Sequence, residues 1–337
     1  MKRIYVTGAA GFIGYHLADL LLDQGFVVHG HDGMTPYYDP KLKEDRLVRL
    51  TGRPGFTFTK GMLEDAPALA ADIAAFRPDV IVHLAAQAGV RYSLEAPRSY
   101  ISANIEGVFN VLEAARDVGV KHLMLASTSS VFGANTEMPY RETDKADTQV
   151  SLYAATKKAG EVLSHSWAHL YNLPTTCFRF FTVYGPWGRP DMAPYKFTKA
   201  ILAGDPIDVY GQGEMFRDFT YITDLVQGIR LLINAVPQRP TGPGGVEPGD
   251  SLSPVAPWRV VNIGNGDKVA LGTFIAAIEA AAGKPAVKNL MGMQKGDVVA
   301  TWADSSLLRR LTGYQPTTGI HEGMQRFVDW YREYYRP

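Results

Sequence analysis

Tyr5-Val6-Thr7-Gly8-Ala9-Ala10-Gly11-Phe12-Ile13-Gly14 decides the fold of this chain. Residues 3–6 read as a short apolar strand. The pattern breaks at Gly8 and resumes at Gly11 as a helix reaching residue 24. Phe12, Ile13, Leu17 and the 20–22 leucines fall on one side of it, and Gly25 ends it. Three glycines at a strand-to-helix turn let the backbone bend tightly and approach a pyrophosphate, which then sits on the helix N-terminus. The spacing is Gly-x-x-Gly-x-x-Gly rather than the commoner Gly-x-Gly-x-x-Gly. Glycines at such turns are often only structural, so it is the position directly after a strand that favours a dinucleotide. Gly8, Gly11, Phe12, Ile13 and Gly14 are the expected cradle.

Working outward, residues 26–31 form the next strand, which runs into Asp32, eighteen residues after Gly14. A carboxylate there accepts hydrogen bonds from the adenosine ribose hydroxyls and repels a 2′-phosphate, favouring NAD over NADP. An aspartate capping a loop has the same signature. Lys43 and Arg46 could soften the preference, and a solvated helix face explains them equally well. Residues 66–76 are Ala-rich and helical. Residues 79–84 and 122–127 are continuous apolar runs of the fully buried kind. Helices are expected at about 98–118 and 153–171, and a strand at 175–181. This alternation implies βαβ units and a Rossmann-like, doubly wound parallel sheet of the α/β class.

Beyond 181 the texture changes. Residues 182–224 hold turns and short helices, 224–235 a helix, and 259–264 a last strand returning to the sheet. Residues 237–257 are rich in Pro and Gly and read as an exposed, mobile loop. The expected division is a dinucleotide-binding domain, 1–181 plus about 225–264, and a smaller α/β substrate lobe, 182–224 plus 265–337.

The chain's 337 residues carry a formal net charge of zero with no long single-sign run, so charge gives no support for nucleic-acid binding. One cysteine, Cys177, excludes an intramolecular disulfide and a multi-cysteine metal site. It reads as a small buried hydrophobe, and no metal is expected. The N-terminus runs straight into a strand without a signal-peptide pattern. No run of about 18 apolar residues suggests a membrane span. The expectation is a cytoplasmic enzyme.

The chemistry is carried by Ser127-Thr128-Ser129-Ser130 and, after it, Tyr153 and Lys157 in Ser-Leu-Tyr-Ala-Ala-Thr-Lys. At i and i+4 on a helix, Tyr153 and Lys157 share one face. A tyrosine with a pKa of about 10 is protonated at neutral pH, but a neighbouring Lys⁺ and a positive nicotinamide both favour phenolate. Such a tyrosine can take a hydroxyl proton while hydride leaves the same carbon. Aligning the hydroxyl run on Gly133 assigns the donor to the reacting oxygen as Thr128. Each residue alone is more often mere packing; the trio after a dinucleotide turn is not.

At this point the whole chain resembles the extended short-chain dehydrogenase/reductase superfamily. The glycine turn, Leu84-Ala85-Ala86 after the fourth strand, Asn104, the hydroxyl run and Tyr153/Lys157 match in order. The resemblance implies that Leu84, Ala85 and Ala86 flank the cofactor and that Asn104 lies near the active site. One departure is Gly61-Met62-Leu63, where the family usually has Gly-Asp-Leu or Gly-Asp-Ile. That aspartate normally binds the adenine amino group, which leaves packing by Met62 and Leu63, or backbone, to hold the base.

The run from Arg179 to Met192 and then Arg217-Asp218-Phe219-Thr220-Tyr221-Ile222 look like nucleotide-sugar epimerases, with most similarity to UDP-glucuronate 4-epimerases. Tyr37-Tyr38-Asp39-Pro40, Leu42, Lys43 and Arg46 are similar to the same group. The resemblance implies Thr182 beside the sugar carboxylate, Arg189 near the sugar, Arg217 at the UDP diphosphate and Asp297 at the uridine ribose. Surface ion pairing remains an alternative for both arginines, whose planar forks nevertheless suit diphosphate and carboxylate. Related 4,6-dehydratases place Asp-Glu after the catalytic Thr, and decarboxylases place Glu. Here Ser129 and Ser130 follow Thr128 and are expected to hold the substrate carboxylate. The implied activity is UDP-glucuronate 4-epimerisation with NAD, in a homodimer formed through the 98–118 and 153–171 helices. The alternatives are epimerisation of UDP-glucose or UDP-N-acetylglucosamine, or an idle NAD-binding scaffold.

Overall fold

The computed structural model describes residues 2–242, 244–293 and 298–336. The first half alternates through β1 (Arg3–Thr7), α1 (Phe12–Asp23), β2 (Val27–Asp32), α2 (Pro40–Leu50), β3 (Phe56–Lys60), α3 (Ala66–Phe76) and β4 (Val80–His83). There follow α4 (Tyr92–Glu95), α5 (Pro97–Ile101), α6 (Gly107–Val118), β5 (His122–Thr128), α7 (Leu152–Tyr171) and β6 (Thr175–Phe180). The second half holds β7 (Thr182–Tyr184), α8 (Ala193–Ala203), β8 (Pro206–Val209), β9 (Phe216–Arg217), β10 (Phe219–Tyr221), α9 (Ile222–Leu232) and β11 (Trp258–Ile263). It closes with β12 (Val269–Ala270), α10 (Leu271–Ala282), β13 (Val287–Leu290), β14 (Ala300–Thr301), α11 (Ser306–Thr312) and α12 (Ile320–Tyr335).

Seven strands form one parallel sheet in the order β11-β6-β5-β4-β1-β2-β3. The chain winds outward from β1 to β3, then returns to β4 on the other side of β1. That reversal opens a crevice at the carboxyl ends of β1 and β4. Helices cover both faces, so all seven residues of β5 are buried, as its unbroken apolar run required. Alternation of side chains splits the core in two. Val6, Val28 and Val82 face α1 and α9, and their cluster continues into Phe274, Ile278 and Phe327 of the C-terminal helices. Tyr5, Ile81 and Leu125 face α3 and α6.

Three expectations are adjusted. The edge strand β3, Phe-Thr-Phe-Thr-Lys, is only partly buried and escaped notice because a half-exposed edge lacks the apolar run of its neighbours. The 98–118 helix is α5 and α6 joined by a π-helical turn, Ser102–Glu106, which carries Asn104. Such turns widen a helix by one residue and often mark functional positions. Finally, the 237–257 stretch is exposed over most of its described middle, as expected, but its two ends are anchored. Arg239 donates to the His169 and Val255 carbonyls at 2.6 Å each, His165 bonds Ser253 at 2.8 Å, and Asp250 pairs with Arg259 at 2.9 Å. Polar side chains scattered through a Pro/Gly-rich stretch anchor it to α7 and β11.

Candidate active site

A cleft of about 1330 Å³ runs along the carboxyl end of the sheet. It exceeds the ~300–1,000 Å³ of a single small-molecule pocket, so it has room for two ligands. Gly8, with φ +72°, starts the glycine turn, and its N–H donates to the His31 carbonyl at 2.7 Å. A Cβ on Gly8 would lie 2.8 Å from the Ala85 nitrogen, and one on Gly14 would lie 2.0 Å from the Gly8 oxygen. Only glycine lets strand, turn and helix come this close. Gly11, extended, precedes Phe12 with no side-chain cap on α1. The N–H groups of that first turn, Phe12 and Ile13 included, are thus open to an anion.

Asp32 is buried at the end of β2 and accepts from the Ala10 N–H at 3.1 Å and the Met34 N–H at 2.8 Å. It therefore braces the glycine turn and the following loop while lining the cleft. Lys43 and Arg46 are not a solvated helix face. Lys43 donates to the Thr35 carbonyl at 2.9 Å, and burial lowers its pKa. Arg46, fully buried, donates to the carbonyls of Ala10 and Trp187 and to Tyr38. Both cations shape the 33–38 loop from below. Met62 is exposed and Leu63 buried, with the Leu63 carbonyl held by Asn110 at 2.9 Å. The Thr7 hydroxyl accepts from the N–H groups of Leu84 and Ala85 at 3.1 Å each, which fixes the Leu84 to Ala86 wall. Asn104 clamps Gln87 through both amide atoms and donates to Thr156 at 3.0 Å. That stitches the cofactor wall to α7, one turn from Tyr153.

The three expected catalytic side chains converge. Ser151 starts α7, its hydroxyl accepting from the Ala154 N–H at 3.2 Å. Tyr153 and Lys157 then face the cleft. Thr128 ends β5 and lines the same cleft. Burial raises the Tyr153 pKa, while the Thr128 hydroxyl and the Arg189 charge pull it down. Burial brings Lys157 down to about 8, against the opposing effects of Cys177 and Glu161. Beneath it lies a network the sequence did not reveal. Glu161 accepts from Ser127 at 2.7 Å and from two nitrogens of Arg179 at 2.9 Å each. Burial alone would raise Glu161, but Arg179, Lys158 and Ser127 hold it near 2.

Thr128, Ser129, Ser130, Thr182, Arg189 and Arg217 all line the same cleft. Thr182 is set by pairing of β7 with β10, its N–H donating to the Asp218 carbonyl at 3.0 Å. Arg189 is not an open fork. It binds Asp191 in bidentate fashion at 3.0 and 2.5 Å, and Tyr37 reaches across to donate to the same carboxylate at 3.0 Å. Asp191 and Tyr37 therefore line the cleft as part of its charged cluster, a part that sequence reasoning had not assigned them. An acid two residues from an arginine was the available signal. Arg217 donates to the carbonyls of Phe216 and Val299. Asp297 lies outside the described residues. Among the described residues, no helix is long and apolar enough to cross a membrane.

Residues 4–243 match the family model described as the NAD dependent epimerase/dehydratase family. A probable UDP-glucuronate 4-epimerase of Rhizobium meliloti is 54% identical over 99% of this chain and 98% of its own length. The structure of UDP-glucuronic acid 4-epimerase from Bacillus cereus, in complex with UDP-glucuronic acid and NAD, superposes with a TM-score of 0.85 at 31% identity. It covers 98% of this chain and 99% of that one. The UDP-glucose 4-epimerase of Thermotoga maritima matches at 0.84 and 27% identity over 98% and 99%. The chain belongs to the NAD dependent epimerase/dehydratase family.

Proposed function

We propose that this protein interconverts UDP-glucuronate and UDP-galacturonate by inverting C4, with NAD retained between turnovers. The residues present fit a dinucleotide: close-packed glycines, an uncapped helix N-terminus and a carboxylate at the end of β2. When bound, NAD supplies reversible oxidation at the sugar carbon. Tyr153 takes the C4 hydroxyl proton, assisted by Lys157, and Thr128 donates to the reacting oxygen. The 4-keto sugar turns about its bond to the diphosphate, and Tyr153 returns the proton on the other face. Arg189, its fork filled by Asp191, acts by its charge on Tyr153 and the sugar end. Arg217 serves the diphosphate and Asp297 the uridine ribose. In this reading 1–181 with about 225–264 holds the cofactor, and 182–224 with 265–337 holds the UDP-sugar.

One observation carries the choice of a uronate. The two side chains after Thr128 that line the cleft are hydroxyls, Ser129 and Ser130, with Thr182 on the same cleft. A 4-keto uronate is a β-keto acid prone to lose carbon dioxide. Hydroxyls that hold the carboxylate stabilise the charge that decarboxylation must disperse. The likeness to a UDP-glucose epimerase keeps the neutral hexose as a second reading. Incubation with UDP-glucuronate, UDP-glucose and UDP-N-acetylglucosamine, with products resolved by NMR, separates the two. Turnover of a neutral sugar in preference to the uronate overturns the first.

The same reading includes a cytoplasmic homodimer built on α5–α6 and α7. These helices leave Ile101, Phe109, Val162 and Leu170 exposed, an apolar face suited to a second copy.

A further inference from the structure

We infer that Asp191 is a positioning residue: it holds Arg189 so that the guanidinium does not capture the substrate carboxylate, and the 4-keto uronate stays free to turn. The inference rests on the epimerase reading above and adds a residue to that site.

Arg189 and Asp191 line the cleft together with Tyr153 and Thr182. A row of rings connects them to the catalytic tyrosine. Tyr153 meets Tyr100 at 6.2 Å between centroids, Tyr100 meets Tyr92 at 6.3 Å, and Tyr92 meets Tyr37 at 4.9 Å. Arg189 stands over the Tyr37 ring at 5.7 Å. Asp191 takes the Nε and Nη2 donors of Arg189 at 3.0 and 2.5 Å, so Nη1 is the one nitrogen it does not engage. From the loop after β2, Tyr37 donates to the same carboxylate at 3.0 Å. Gly89 makes room for that hydroxyl: its φ is +102°, and a Cβ there would lie 2.6 Å from the Tyr37 oxygen. The two side chains keep 22% and 27% of their surface, enough to meet a ligand but too little for a loose surface pair. Burial raises the Asp191 pKa, but Arg189 and Tyr37 outweigh it and hold the carboxyl below its ordinary value. Asp191 is therefore ionised at neutral pH.

The reaction explains why such a pair is useful. When the keto sugar turns about its bond to the diphosphate, its carboxylate is carried to a new place in the cleft. A free guanidinium binds a carboxylate through two parallel charge-assisted hydrogen bonds. In a partly buried cleft that attraction would hold the sugar in one orientation. Asp191 removes the trap in two ways. It occupies the Nε/Nη2 edge of the fork, and its charge repels a second carboxylate that approaches the Nη1 end. Nη1 is left to an uncharged oxygen. The substrate carboxylate is left to the hydroxyls of Ser129, Ser130 and Thr182 on the same cleft. Hydrogen bonds from neutral donors are individually weaker than those from a guanidinium, so they can break and re-form as the ring turns.

The test uses the NAD⁺-loaded protein and Asp191→Asn, which keeps the shape and removes the charge. Affinities are read by calorimetry in a Tyr153→Phe background, where substrate is not consumed. Asp191→Asn should tighten UDP-glucuronate by roughly threefold or more and leave UDP-glucose, its neutral counterpart, unchanged. Adding Arg189→Gln should abolish the extra affinity. With Tyr153 intact, Asp191→Asn should lower kcat for UDP-glucuronate. The kinetic isotope effect of substrate deuterated at C4 on that kcat should be close to unity, because hydride transfer is then not the slow step. Asp191→Ser carries the same comparison if the amide disturbs folding. Weaker binding of both sugars by both variants, unchanged uronate binding, equal tightening of both sugars, or a large isotope effect on the lowered kcat overturns the inference and leaves the epimerase reading intact. An unaltered protein that does not bind UDP-glucuronate overturns that reading as well.

Discussion

In the proposed mechanism the chemistry turns on Tyr153, and its setting makes the expected loss specific. Tyr153→Phe keeps the ring that packs edge-on to Tyr100 at 6.2 Å and removes only the titrating oxygen. Folding and dinucleotide affinity should survive, while turnover of UDP-glucuronate falls by about 10²–10⁴, the range for an acid–base group. Near-normal kcat would reject the assignment. Thr182→Val is the matching test at the sugar end, since it keeps the branched shape. If its hydroxyl holds the carboxylate, affinity should drop by roughly 1–3 kcal/mol. The 4-keto sugar should also lose carbon dioxide more often, giving a UDP-4-keto-pentose and stranded NADH. Mass spectrometry with 340 nm absorbance reads both. Unchanged affinity with no pentose would favour the neutral-hexose epimerase.

At the scale of elements, α7 must be rigid where it starts, because Tyr153 is its second residue. Ser151 satisfies an N–H of that first turn, and Asn104 in the π turn reaches Thr156 one turn on. Ser151→Ala should cost about 0.5–2 kcal/mol, the usual worth of an N-cap, measured as a shift of the urea midpoint at constant m. No loss would mean that tertiary contacts alone hold the turn. Two surface elements show the converse, that packing can override composition. The 237–257 stretch has the residues of a free loop, but an ion pair and side-chain bonds pin its two ends. Lys43 and Arg46 of α2 could pass for solvated in sequence, yet the fold turns them inward to hold Thr35, the glycine loop and Trp187.

At the scale of the whole molecule, the Glu161–Arg179 pair joins α7 to β6 inside the core. A buried pair adds little over a well-packed apolar one, but breaking it strands a charge. Arg179→Met should therefore destabilise by about 3–5 kcal/mol in chemical denaturation. The pH dependence follows with a definite sign. Glu161 titrates near 2 when folded against an ordinary value of 4.5. Its contribution is complete above pH 4.5 and is lost as pH falls toward 2. Denaturant melts across that window should slope more steeply in the unaltered protein than in Arg179→Met; equal slopes would remove Glu161 as the cause. Assembly can be tested on the exposed helices: Phe109→Asp with Val162→Asp should convert a dimer to monomer by light scattering. An unaltered mass in the doubly substituted protein would place the contact elsewhere.

The sequence by itself determined the sheet, the glycine turn, and the order and spacing of Thr128, Tyr153 and Lys157. These rest on local rules: a strand buried on both faces is apolar throughout, a close-packed turn requires glycine, and a helix puts i and i+4 on one face. The edge strand β3 was illegible because a half-exposed strand has no such run. Only the tertiary structure decided what each charged or polar side chain faces. It gave Arg189 to Asp191, turned Lys43 and Arg46 under the loop, and put Glu161 against Arg179. It also buried one nitrogen of His31 without a partner among the described residues. Those partners are separated along the chain by anything from two to well over a hundred residues, and no local periodicity encodes them. Burial and proximity fix them, and both exist only once the sheet has brought its neighbours together.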